Sequence, residues 1–389
     1  MLDKVIKTEI HEILKEREDD FMILEKLVQF SNFYGSNEEL VLAGGGNTSA
    51  KDGDIMYIKG SGTSLSTITK DGFVKMNRAK LKEIFSKTYP DNDKEREALF
   101  LEDLSAAREK GEESKRPSVE TTLHSLFEYT FVLHLHPALV NGLTCSQNGK
   151  TKAYELFGDK IIWVDVCKPG YILSKICFDL MEEYKAKQGR PADIILLENH
   201  GVFVAGNTVE ELGEKLGFVT SKIRSQIVRE PDLSSGEFDG DKSMSTFNVL
   251  NETFSDDFVI SYDPSVESLC VAESEESLKK IYKPFNPDQI VYCKPYPLYV
   301  EDENLIPEKV KEYKEKNGFL PKIILVKDCG AYAVDKSEKG SDNASMLFND
   351  ALKIATYAES FGGGKPMTDE LTDFIVNWEA EAYRSKQVK

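Results

Sequence analysis

Apolar residues recur at helical spacing between residues 3 and 34, as Ile6, Ile10, Ile13 and Leu14 and then as Phe21, Leu24, Leu27 and Val28. The charged run at residues 15–20 separates two helices there, and Tyr34-Gly35-Ser36-Asn37 stops the second. From 40 to 66 the pattern shortens to strands around glycine-rich turns: Leu40-Val41-Leu42 and Ile55-Met56-Tyr57-Ile58 read as extended, with turns at residues 44–49 and 59–62. A charged, exposed, largely helical region covers residues 91–115. Pro117 and Ser118 then suit a helix start with Glu120 in its first turn. Strands are expected at residues 131–137, 161–164, 193–197 and 202–206, with helices near 170–187 and 208–228.

Residues 230–245 turn polar and read as a linker or surface excursion. Beyond them, extended segments at about 257–262, 268–273, 289–294 and 322–334 alternate with helical stretches near 275–283, 306–317 and 341–360. That alternation predicts a small α/β domain with a largely parallel sheet. A chain of 389 residues is longer than single cores usually grow, so two domains are expected, 1–245 and 246–389. Gly362-Gly363-Gly364-Lys365 follows a helix rather than a strand and lacks the context of a nucleotide-binding loop.

A formal net charge of −18 argues against nucleic acid and anionic membranes as partners. It leaves room for a phosphorylated substrate, since backbone amides and one or two lysines can hold an anion locally. No signal-peptide core and no apolar run of about 18 residues is seen, which gives a cytoplasmic expectation with no membrane span. The six cysteines show no Cys-x-x-Cys spacing and read as reduced core thiols.

Two of only five histidines fall in Phe131-Val132-Leu133-His134-Leu135-His136-Pro137. On a strand, His134 and His136 project from one face while Leu133 and Leu135 occupy the other. A single histidine on an apolar strand is more often a hydrogen-bonded core residue, so a third matters: Glu198-Asn199-His200-Gly201 turns the chain between two strands and would hold His200 at a strand tip. Three neutral imidazoles leave a metal's full charge available at an open position, where it polarises a carbonyl or stabilises an enediolate. Three nitrogens favour Zn2+, with Fe2+, Co2+ and Mn2+ as alternatives. The chemistry also needs a proton carrier, for which Glu120 is the candidate; its other reading is a helix N-terminal acid facing the helix dipole. His124 reads as a supporting or structural histidine and His11 as a solvated one. The two glycine-rich turns have the makeup of anion nests, although such turns often only shape the backbone.

Taken in order, Gly45-Gly46-Asn47-Thr48-Ser49, Ile58-Lys59-Gly60-Ser61-Gly62, Pro117-Ser118-Val119-Glu120, His134-Leu135-His136-Pro137 and Asn199-His200-Gly201 resemble the class II aldolase/adducin family over roughly residues 20–230. The resemblance implies a three-layer αβα domain, zinc on His134, His136 and His200, and Glu120 as acid/base. It places Asn47, Ser61, Gly62 and Ser118 near a substrate phosphate. The aldolase portion of bifunctional rhamnulose-1-phosphate aldolase/short-chain dehydrogenase proteins is most similar, and there an additional, smaller α/β segment follows the aldolase core. The implied reaction is reversible retro-aldol cleavage of a rhamnulose-1-phosphate-like ketose to dihydroxyacetone phosphate and an aldehyde. Epimerisation by the same chemistry and a non-catalytic adducin-like scaffold are the alternatives. Family active sites lie at subunit interfaces, which implies a homo-oligomer, with a tetramer expected. Val119 stands where many smaller aldolases have a serine and Gly44 where some have a threonine. Two hydroxyl contacts to phosphate are thereby missing, and a polyhydroxylated acid stays open beside a sugar phosphate.

Overall fold

The computed structural model describes residues 23–255 and 257–378. The expected first helix with His11 and the charged break after it lie outside the described residues. The described residues form two compact units: one holds residues up to Val140 together with Gly149–Gln226, the other holds Asn141–Asn148 and the residues from Ile227 onward. No helix among the described residues is long and apolar enough to cross a membrane.

The first unit is built on β1 (Asn47–Asp52), β2 (Ile55–Lys59), β3 (Phe73–Asn77), β4 (Phe131–Leu135), β5 (Ile162–Val164), β6 (Ile194–Leu197) and β7 (Gly201–Gly206). These make one sheet in the order β3-β2-β1-β4-β7-β6-β5, with only β5 and β6 parallel. Its helices are α1 (Ile23–Gly35), α2 (Arg78–Ile84), α3 (Asp93–Ala106), α4 (Thr121–Leu126), α6 (Gly149–Phe157), α7 (Tyr171–Gln188) and α8 (Val209–Arg224), and α5 (Ala138–Thr144) follows β4. The pairing register assigns the faces. Ser49, Ile58, Val74, Val132, Phe203 and Ile195 share one side and pack under α2, α3, α4 and α7. The opposite side, with Thr48, Ala50 and Phe131, lies under α1 and α8, where Phe30 meets Phe131 edge-on. The unit is therefore an αβα sandwich.

Two local expectations change. Asn47-Thr48-Ser49 belongs to β1 rather than to the glycine-rich turn. Its polar side chains are satisfied sideways: Thr48 Oγ1 meets Ser31 Oγ at 2.7 Å and Ser49 Oγ meets His124 Nδ1 at 2.8 Å. Leu40-Val41-Leu42 is not a strand, because the amides of Leu40 and Val41 both turn back to the Asn37 carbonyl at 2.9 Å.

The second unit contains α9 (Gly240–Thr253), β8 (Val259–Asp263), α10 (Val266–Ala272), α11 (Glu275–Leu278), α12 (Pro287–Cys293), β9 (Leu298–Val300), α13 (Ile306–Asn317), β10 (Ile323–Val326), β11 (Gly330–Asp335), α14 (Glu338–Ala358) and α15 (Asp369–Asn377). Its sheet runs β8-β11-β10-β9. Only β9 and β10 are parallel, against the largely parallel sheet expected. The reason is the turn after β10: Asp328 (φ 64°) and Gly330 (φ 103°) reverse the chain at once, making a hairpin of residues 322–334, which were expected as one extended segment. Residues 268–273 and 289–294, expected extended, lie in helices. Their apolar and β-branched content yields to strong starts, a Ser265 side-chain cap on α10 and an Asn286 cap with Pro287 at the first turn of α12. This unit also begins at Ile227, earlier than the expected 245/246 boundary. Arg229 pairs with Glu267 and with Glu359 at 3.1 Å, Gly236 N donates to Pro264 O at 2.9 Å, and Asp239 caps α9, so the polar stretch is part of the unit.

Candidate metal centre

His134 sits near the end of β4, opposite Asn47 on β1 and Phe203 on β7. His136 lies one residue past the strand and keeps its parity, so both rings face the same way, with centroids 4.7 Å apart. His200 is carried by the β6–β7 turn. Asn199 takes a left-handed conformation there (φ 55°), and His200 N donates to Leu197 O at 3.2 Å. Gly201 lets this turn lie against β4. A Cβ at that position would stand 2.4 Å from the Leu135 carbonyl and 2.7 Å from the His136 ring.

The three rings converge through their Nε2 atoms, His136 at 2.9 Å and His200 at 3.3 Å from His134. Glu120 completes the group, its Oε1 lying 3.1 Å from the Nε2 of both His134 and His200. One ligand atom from each of the four side chains fits within 4.8 Å. Glu120 occupies the N-cap position of α4, yet its carboxylate caps nothing. It turns instead toward the imidazoles and accepts a hydrogen bond from the Asn47 amide.

The hydrogen bonding fixes one tautomer. His134 Nδ1 donates to the Val202 carbonyl at 3.0 Å, and since a carbonyl only accepts, Nε2 of the neutral ring presents its lone pair to the cluster. Burial pushes the pKa of His134 down to about 4 despite the neighbouring carboxylate. Burial acts to raise Glu120, but the imidazoles of His134 and His200 outweigh it and hold the carboxyl well below its ordinary range. A lone pair and a carboxylate oxygen aimed at one point are what a cation stabilises. Imidazole nitrogens about 2.0–2.1 Å from a tetrahedral zinc stand ~3.3–3.4 Å apart, within a few tenths of an ångström of the separations seen. The donor set therefore fits a divalent transition metal.

Phe203, absent from the sequence expectations, stacks on His134 at 3.9 Å between centroids and 15° between planes. The only signal for it was cross-strand register, which one strand's sequence does not carry. His124 is fully buried with its Nδ1 on Ser49 Oγ and its ring edge-on to Phe203 at 5.3 Å; burial holds its pKa far below the usual histidine value.

The motif blocks far apart in sequence are stitched together. Ser61 N donates to Arg116 O at 2.8 Å, Ser118 N to Lys59 O at 3.2 Å, and Lys59 Nζ to Gly44 O at 3.1 Å. Ser118 Oγ accepts from Glu120 N at 3.2 Å, which ties the 116–118 segment to the residue that carries the carboxylate. Gly62, with φ 87°, shapes the turn beside Ser61. Asn47 stands with Glu120, while Gly60 and Ser61 meet the 116–118 segment.

Residues 25–222 match the family model described as the class II aldolase and adducin N-terminal domain. The uncharacterized oxidoreductase YuxG of Bacillus subtilis (strain 168) is 24% identical over 411 aligned positions, covering 93% of this chain and 58% of that protein. The chain thus spans less than two thirds of that relative's length. Among solved structures, the N-terminal class II aldolase domain of a conserved protein from Thermoplasma acidophilum is 25% identical, with 54% of this chain and 96% of that one covered and a TM-score of 0.45. An L-fuculose 1-phosphate aldolase is 16% identical, over 52% of this chain and 84% of that one, with a TM-score of 0.36.

Proposed function

We propose a function from one premise: the chain belongs to the class II aldolase and adducin family. It is a metal-dependent aldolase that reversibly cleaves a ketose 1-phosphate of the rhamnulose-1-phosphate kind to dihydroxyacetone phosphate and an aldehyde. The observation that carries this reading is the convergence of three imidazole Nε2 atoms and one carboxylate at separations of 2.9–3.3 Å.

His134, His136 and His200 would hold a divalent ion, zinc being the best match to three nitrogens. When bound, such an ion supplies Lewis acidity toward a substrate carbonyl. The chain's own groups supply the rest. Glu120 lies beside the imidazoles with one oxygen held by Asn47, so its other oxygen moves a proton to or from the carbon next to the carbonyl. Phe203 and the Val202 carbonyl fix the orientation of His134. The 59–62 and 116–118 segments, with Ser61, Gly62 and Ser118, face the anionic end of the substrate. Gly44 and Val119 offer no hydroxyl there, which keeps a polyhydroxylated acid within the substrate class. The oxidoreductase name belongs to the longer Bacillus protein.

A panel of ketose 1-phosphates and aldonates, assayed for aldehyde release by the zinc-loaded chain, tests this. Aldehyde release lost in Glu120→Gln supports the reading. Isomer formation without aldehyde points to epimerisation, and inertness with every panel member refutes cleavage.

A further inference from the structure

The sheet of the second unit repeats, strand for strand, the part of the first sheet that bears the histidines. The run β4-β7-β6-β5 corresponds to β8-β11-β10-β9, with the same two antiparallel pairs and the same parallel pair. Registers agree residue by residue: Leu197 faces Gly201 and Ile194 faces Val204, as Val326 faces Gly330 and Ile323 faces Ala333. The connecting bonds agree too. Glu198 N donates to Val164 O and His200 N to Leu197 O, as Lys327 N donates to Val300 O and Cys329 N to Val326 O.

Turn conformation and helix capping extend the match. Asn199 and Asp328 are both left-handed, and Thr208 and Ser337 cap the helices that follow, α8 and α14. A Cβ on Gly201 would strike the Leu135 carbonyl at 2.4 Å, and one on Gly330 the Asp263 carbonyl at 2.5 Å. Ile-Ile-Leu precedes both turns, at residues 194–196 and 323–325. Strand β4 leads into α5 as β8 leads into α10, with the same two-residue connection.

We infer that the second unit is a metal-free copy of the metal-bearing scaffold, with Tyr262, Pro264 and Cys329 standing where His134, His136 and His200 stand. The first of these pairs follows from register, since His134 faces Phe203 and Tyr262 faces Tyr332, the stacked aromatic pair recurring at 3.9 and 4.7 Å. Counting back from the phenylalanines that close α4 and α9, Phe127 and Phe254, the place of Glu120 is taken by Phe247. The vacated chemistry is replaced by internal hydrogen bonding. Tyr262 donates its hydroxyl to the Cys329 carbonyl at 2.7 Å and meets Ser243 Oγ at 2.9 Å, and Cys329 Sγ meets Thr246 Oγ1 at 3.9 Å. The described residues therefore hold two copies of the scaffold and one cluster of metal-type ligands.

This rests on the histidines being the metal ligands, and the test separates the two claims. After zinc loading and desalting, the parent chain is expected to hold one equivalent and His134→Ala/His136→Ala/His200→Ala none. One equivalent surviving in that variant overturns the inference, because the second unit would then bind its own metal. In the parent background, Tyr262→His/Pro264→His/Cys329→His should gain one equivalent. If that variant is folded by near-ultraviolet circular dichroism and gains nothing, the copy is refuted. A parent that binds no metal refutes the ligand assignment, while the gain by the three new histidines still decides the copy. Should that variant not fold, the turn exchange Lys327→Glu/Asp328→Asn/Cys329→His decides. A melting temperature within about 5 °C of the parent supports equivalent turns, and loss of folding overturns them.

Discussion

Replacing Gly201 with alanine probes how the fold places the proposed metal ligands without substituting any of them. The added Cβ would lie 2.4 Å from the Leu135 carbonyl oxygen and 2.7 Å from the His136 ring, whereas such contacts become ordinary only from 3.4 Å. Strands β4 and β7 must separate by roughly 1 Å at that point, several times the ~0.2 Å within which metal–ligand distances are held. Relief of the overlap costs ~1–3 kcal/mol of folding stability. His136, just past the end of β4, and His200, on the turn before β7, are carried apart, so metal affinity falls ~10–100-fold, as it does when the support of a ligand is removed. Zinc competition against a chromogenic chelator reads the affinity, and urea unfolding of the metal-stripped protein reads the stability. Gly240→Ala, where a Cβ meets nothing within 4 Å, is the control for helix and glycine effects. Parental zinc affinity in Gly201→Ala would refute the claim that this close approach sets the site.

Glu120→Gln keeps the metal but lowers turnover ~10²–10⁴-fold, measured by steady-state aldehyde release beside metal analysis; an unchanged rate removes it as proton carrier. Asn47→Ala leaves one carboxylate oxygen of Glu120 without its donor and lowers turnover ~10-fold or more at constant metal content, a hydrogen bond to a charged group being worth ~1.5–3 kcal/mol. In metal-stripped protein, burial keeps His124 and His134 neutral when folded, while both take up a proton on unfolding below the usual histidine pKa near 6.5. Stability therefore falls between pH 7.5 and 5.5 by ~1.4 kcal/mol for each ring, ~3 kcal/mol together, and equal urea midpoints at the two pH values contradict this. Lys51 is buried and its amine has no hydrogen-bond partner among the described residues, and burial pulls its pKa to about 7, so Lys51→Met should stabilise the fold at pH 7 by ~1 kcal/mol or more in the same assay.

The site was legible in the sequence where short-range geometry decides it. Strand parity sets His134 beside His136, and the Asn-His-Gly turn sets His200 at a strand tip. What joins these pieces is long-range. The stacking of Phe203 on His134 and the bond from His134 to Val202 depend on β4 pairing with β7 in one register, which neither strand specifies alone. The burial of Thr48 and Ser49 was illegible for the same reason, their partners Ser31 and His124 being distant in sequence. In the second unit the apolar content of residues 268–273 and 289–294 suggested strands, and capping by Ser265 and Asn286 overrode it. The repeat itself is faint in sequence because the residues that carry chemistry are those that differ, histidine against tyrosine, proline and cysteine.

Anomalous scattering at the zinc edge from crystals of the zinc-loaded chain tests the central claim most directly. The account predicts a peak in the first unit ~2.0–2.1 Å from the Nε2 atoms of His134, His136 and His200. A map with no peak there, or with its strongest peak on other residues, would contradict it.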